Sequence, residues 1–94
     1  MNQPQSLSDI LTSYLRDTGL EQPVLEERLE RLWPELMGPQ VARLTERIEI
    51  KDGTLRLTVR SAALRQQLFD CRLKVIRKLN DAVNAQVIKA IRLN

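Results

Sequence analysis

Histidine is absent from this sequence, cysteine occurs once, and only three residues are aromatic. Each scarcity closes off some chemistry. Without histidine the chain lacks the commonest general base and the commonest metal ligand. The lone cysteine, Cys71, offers neither an internal disulfide nor a zinc cluster, and its place on an apolar stripe reads as a plain core thiol. With Tyr14, Trp33 and Phe69 as the only rings, the core must be mostly Leu, Ile and Val. Glycine stands only at positions 19, 38 and 53, each explained by a turn or a cap, so no Gly-rich phosphate loop exists. No apolar run reaches the roughly 18 residues of a membrane-spanning helix. The opening MNQPQSLSD lacks the basic-then-apolar order of a signal peptide. A reduced, cytoplasmic setting is therefore expected, with no membrane contact.

What is present is an ordinary globular composition. Ninety-four residues, 43% apolar and 29% charged, suffice for one small domain and do not describe a disordered chain. Residues 1–5 read as a flexible polar tail and 6–94 as a single domain. The net charge of +3 conceals an asymmetry. Residues 1–53 carry six basic and ten acidic side chains, whereas residues 54–94 carry nine basic and two acidic. A basic half of this kind suits a polyanion or an acidic partner; solvated surface charge is the plainer explanation.

Periodicity divides the chain. Leu7, Ile10, Leu11, Tyr14 and Leu15 share one helical face, with Ser6 or Ser8 as cap and Gly19 as stop; the first helix covers about 7–17. A second begins near Pro23 and lines up Leu25, Leu29, Leu32, Trp33 and Leu36. Pro34 predicts a kink or break there, and Gly38-Pro39 closes the segment. Residues 39–45 fit one short helical turn. The period then changes to two at 47–50 and 54–60, which argues for strands. Asp52-Gly53 between them is a type I′ hairpin signal. Ser61 caps a long helix whose stripe is Leu64, Leu68, Cys71, Val75, Leu79 and Ala82, ending at Asn84. Residues 87–93 suit a last strand, parallel to its neighbour because a helix separates the two. The fold class is α+β, in the order ααββαβ, with a small three-stranded mixed sheet packed on helices.

No constellation for catalysis emerges. Ser61 is explained as a cap. Asp70 and Asp81 lie about 16 Å apart along a helix, too far for paired acid–base work, and each has a basic residue four positions away. The chain reads as a non-enzyme with no cofactor and no metal.

Several blocks in order carry a family resemblance: Trp33-Pro34-Glu35-Leu36-Met37-Gly38; Asp52-Gly53-Thr54-Leu55 with Leu57 and Val59; Ser61 to Leu68; Ile76 to Asn80; and Val87 to Arg92. Together they resemble the DciA-like family over about Leu7 to Leu93. Leu64 and Gln67 stand where many relatives carry Trp and Glu. The resemblance implies a bacterial accessory of the replicative DNA helicase, with a fold akin to the K-homology domain of the second type. It also implies contact with single-stranded nucleic acid. The G-x-x-G backbone clamp of K-homology domains is absent from the sequence, so phosphate contact falls to side chains.

Arg56, Arg60, Arg65, Lys74, Arg77 and Lys78 are the candidates for it. Trp33 and Phe69 lie on apolar faces and leave no stacking platform, so weak, sequence-independent binding is expected. Phe69, Leu73 and Ile76 widen the apolar surface to one side of the long helix. Either the first two helices cover this flank, which is the expectation, or it docks a partner. A protein-interaction adaptor without nucleic acid, self-associating or not, is the alternative function.

Overall fold

Glu26 and Asn80 are the two buried polar side chains among the described residues, and they lie on the two helices that back the sheet. The structure is a computed structural model that describes residues 6–94; the expected tail, residues 1–5, lies outside them. The elements are α1 (Leu7–Thr18), α2 (Glu21–Met37), α3 (Pro39–Leu44), β1 (Thr45–Lys51), β2 (Thr54–Val59), α4 (Ala62–Asp70), α5 (Arg72–Val83) and β3 (Ala90–Leu93). The sheet order is β1-β2-β3, antiparallel between β1 and β2 and parallel between β2 and β3. This is the α+β arrangement that the sequence periods imply.

Strand β2 is central because it alone pairs on both sides. Its odd-numbered residues, Leu55, Leu57 and Val59, are buried. Its even-numbered residues, Thr54, Arg56 and Thr58, leave through the opposite, open face. The turn into β2 holds Asp52 at φ 52° and Gly53 at φ 80°, the double positive φ of a type I′ hairpin. Behind the sheet, Leu29 and Trp33 of α2, Leu68 of α4, and Val75 and Leu79 of α5 complete the core. The Trp33 indole N–H donates to Thr45 Oγ1 at 3.2 Å, so the large ring is buried with its polar edge satisfied.

The two buried polar groups fasten the layers. Glu26 Oε2 accepts from the Gly53 N–H at 2.7 Å and from Gln22 Nε2 at 2.9 Å. Gln22 Nε2 also donates to the Val87 carbonyl at 3.1 Å. Asn80 Oδ1 accepts from the N–H groups of Val87 (3.0 Å) and Ile88 (2.8 Å), and its Nδ2 donates to the Ile88 carbonyl at 3.1 Å. Lys89 N–H then donates to Gly53 O at 2.7 Å. The hairpin tip, the crossover and both helices thus meet at one point. A Cβ added at Gly53 would stand 3.3 Å from the Val87 carbonyl oxygen, in a left-handed conformation that already disfavours a side chain.

Several boundaries differ from expectation. The long helix is two helices, because Cys71 (φ −109°, ψ 28°) breaks it between α4 and α5. A straight helix over 62–83 would be about 33 Å long, whereas the six residues of β2 span about 20 Å; the break lets both halves reach the sheet. Cys71 is half-buried at the edge of the core, and its thiol donates to the Gln67 carbonyl at 2.9 Å. The last strand begins at Ala90 rather than Val87, since Asn80 takes the N–H groups of Val87 and Ile88.

Helix α2 starts at Glu21 and continues through Pro34 to Met37. Pro23 lies in the first turn, where no N–H partner is needed. Pro34 is exposed, and although it lacks an N–H the helix is not ended there.

The arrangement of helix α1 is also unexpected. It has a complete capping box with Ser6 and Asp9 and a left-handed stop at Gly19, yet buries none of its residues. The radius of gyration is 15.3 Å, against about 12 Å for a compact domain of this length. The helix projects from the body.

Asn80→Ala strands the buried N–H and carbonyl of Ile88 and leaves the Val87 N–H only its turn bond to the Ala85 carbonyl; it is expected to cost about 2–4 kcal/mol in urea unfolding followed by Trp33 fluorescence. Asn84→Gly, at the left-handed C-cap of α5 (φ 52°), is expected to lie within about 0.5 kcal/mol of the wild type.

Candidate functional site

The two-layer fold sorts the six basic candidates onto different surfaces. Arg56 points out from β2 on the open sheet face, and Arg60 follows just past its end. Lys74, Arg77 and Lys78 are exposed on α5, whose other side buries Val75 and Leu79 against the core. The sheet face and the α5 arc therefore look in opposite directions. Arg65 belongs to neither. It is half-buried beneath α4, where one terminal nitrogen donates to the Val59 carbonyl at 3.2 Å while its Nε is buried without a partner.

The two surfaces also differ electrostatically. On the sheet, Glu49 of β1 stands opposite Arg56 in the register, and the two approach to 4.0 Å. Arg60 pairs with Glu46 at 3.3 Å. These pairs are solvent-exposed and contribute little to stability, but they offset the cations in place. Arg47, Glu49, Arg56, Thr58 and Asn94 line a shallow depression of about 250 Å³ there. Arg92, which periodicity left unassigned because alternation in 87–93 is ambiguous, is set beside Arg56 by the parallel register. On α5, by contrast, Lys74, Arg77 and Lys78 take part in no ion pair among the described residues. Positions 74, 77 and 78 are three and four apart and so share one helical face.

The apolar candidates lie at the α4–α5 junction. Phe69 is 50% exposed and Leu73 71% exposed, while Ile76 is half-buried against the core. The expectation that the first two helices cover this flank is not met. Helix α2 packs against β1 and α5, and α1 packs against α2. The α1 side chains meet α5 only around its last residue, in a groove that Val83, Asn84 and Ala85 also line. That groove lies at the far end of α5 from Leu73, with Val83 about 15 Å away along the helix.

Phe69 is partly screened by Arg72, whose guanidinium carbon lies 4.4 Å from the ring centroid. Tyr14 is exposed on α1. Two rings are thus open to solvent where none was expected, but they sit on separate elements, away from the α5 arc. Among the described residues no group of His, Cys, Asp and Glu could hold a metal ion, and no helix is long and apolar enough to cross a membrane.

Sequence reasoning missed the exposed face of α1, Leu7, Ile10, Leu11 and Tyr14. Its helical spacing was plain, but spacing shows only that a face exists and not whether the fold covers it.

Leu73→Gln is expected to leave the urea midpoint unchanged within about 0.5 kcal/mol. Leu79→Ala, on the opposite side of the same helix, is expected to cost about 2–5 kcal/mol. The pair measures how far Leu73 stands outside the core.

No curated protein matches the chain. The family described as "Dna[CI] antecedent, DciA" matches residues 6–93. The match runs from the cap of α1 to the end of β3 and so takes in every element of the fold. The chain belongs to the DciA family and, with it, to the accessory proteins of DNA replication.

Proposed function

We propose that the chain is a non-enzymatic module that assists loading or operation of the replicative DNA helicase. In this reading it touches single-stranded nucleic acid weakly, and without sequence preference, through the outer arc of α5. Family membership supports the helicase half. The nucleic-acid half is carried by one observation: Lys74, Arg77 and Lys78 are exposed on one helical face with no carboxylate paired to them among the described residues.

Cations already matched by a carboxylate gain less from a phosphate, because the existing pair must open first. This favours the α5 arc over Arg56 and Arg60. Arg65 is held by the Val59 carbonyl and acts in the packing of α4 on the sheet. No ring lies on the arc to stack a base, so the contact is ionic and indifferent to sequence. Three neutralised phosphates imply a slope of about −2 in log K against log salt.

Protein docking without nucleic acid has its own support in the exposed Phe69 and Leu73. Both readings accommodate the helicase as partner, and they part on nucleic acid alone.

Fluorescence anisotropy of a labelled single-stranded oligonucleotide at low and moderate salt separates them. Lys74→Glu/Arg77→Glu/Lys78→Glu is expected to weaken binding more than tenfold and to flatten the salt slope. Arg56→Glu/Arg60→Glu is expected to change it by less. Binding absent at low salt leaves the adaptor reading; binding that is present but unmoved by the α5 triple variant overturns the assignment of the contact to α5. Co-purification with the replicative helicase tests the accessory role separately.

A further inference from the structure

Among the described residues two apolar patches are left uncovered, and they carry opposite flanking charge. The first is the outer face of α1, with Leu7 82%, Ile10 51% and Tyr14 54% exposed; Leu11 borders it and also lines the groove toward α2 and the end of α5. The second is the α4–α5 junction at Phe69 and Leu73. On α1, Asp17 lies beside this face, Arg16 is paired with Glu21 at 3.2 Å, and Asp9 is engaged in the capping box on the far side. The junction is flanked by Arg72, Lys74 and Arg77 against Asp70, whose carboxylate is engaged by Gln66 at 2.9 Å, and Asp81.

These patches cannot meet within one molecule. The elbow between α1 and α2 is fixed by the Gly19 stop, by the Leu20 N–H donating to the Leu15 carbonyl at 2.9 Å, and by Arg16 Nε donating to Glu21 at 3.2 Å. It lays α1 beside the carboxyl end of α5, whereas Leu73 is near the amino end.

We propose that α1 of one copy docks on the α4–α5 junction of a second copy, acid to base and apolar face to apolar face. Leu7, Ile10, Leu11 and Tyr14 stand at i, i+3, i+4 and i+7, the anchor spacing of a helix that binds in a groove. Two depressions, one on either side of the junction, offer sites for such anchors. One is lined by Ala62, Phe69 and Leu93, the other by Leu73 and Ile76. The contact is between unlike surfaces, so a two-fold pair makes it twice, each arm reaching the other copy's junction. The projection of α1 from the body supplies the reach. This inference does not rest on the helicase or nucleic-acid reading.

Sedimentation velocity over a concentration series tests it with neither partner present. The full chain is expected to shift from monomer to dimer as concentration rises. Ile10→Glu/Tyr14→Glu, which disables the arm, and Leu73→Glu, which disables the junction, are each expected to raise the dissociation constant at least about tenfold. All three positions are exposed, and unchanged urea midpoints establish that the variants fold. An equimolar mixture of the two variants retains one intact arm and one intact junction, and is expected to recover dimer that neither variant forms alone. A wild type that stays monomeric at its highest soluble concentration overturns the proposal. So does a Leu73→Glu variant that dimerises like the wild type, or a mixture that stays monomeric, as direct pairing of two α1 helices would give.

Discussion

The sheet's third strand depends on Asn80. Its side chain holds both backbone N–H groups of Val87 and Ile88 and the carbonyl of Ile88. Buried backbone groups must be paired, and apart from a turn bond from the Val87 N–H to the Ala85 carbonyl at 3.0 Å, Asn80 supplies these partners. The chain therefore turns out of α5 and is delivered to β2 in one register, with Thr54 beside Ala90 and Leu57 beside Leu93. Glu26 performs the matching task from α2 by receiving the Gly53 N–H. Gly53 in turn receives Lys89, so the two clasps share the hairpin tip. A side chain at position 53 would crowd the Val87 carbonyl; the turn glycine is required by packing as well as by φ.

That clasp has a functional consequence. By holding α2 and α5 to one side of the sheet, it sends the basic side chains of β2 and those of α5 to opposite surfaces. A single nucleic-acid strand cannot use Arg56 and Lys78 together without wrapping the domain. The division leaves a sheet face on which Arg56 and Arg60 are paired with acids, an α5 arc whose cations form no ion pair among the described residues and, at the amino end of α5, an apolar junction. These unpaired cations and an exposed apolar patch thus sit side by side along one helix.

Much of the fold was legible from periodicity and turn chemistry. The alternation at Leu55, Leu57 and Val59, the Asp52-Gly53 turn and the Ser61 cap each have a local physical signature, and each stands where that signature puts it. The break at Cys71 was not legible, because neither glycine nor proline marks it; it follows from the length of the sheet. The late start of β3 was hidden too, since the competitor for its backbone is a side chain seven residues earlier. For the candidate site, the outward arc of Lys74, Arg77 and Lys78 could be read from helical spacing. The engagement of Arg65 with Val59, the pairing of Arg56 and Arg60 with β1 acids, and the uncovered face of α1 all depend on tertiary placement.

The central claim is that the α5 arc, and not the sheet, meets nucleic acid. The most direct measurement is backbone amide chemical-shift mapping of the labelled chain titrated with a short single-stranded oligonucleotide. The account expects shifts concentrated at residues 74–78 and little change across β1 and β2. Shifts centred on Arg56 and Arg92, or no shift at low salt, would contradict it.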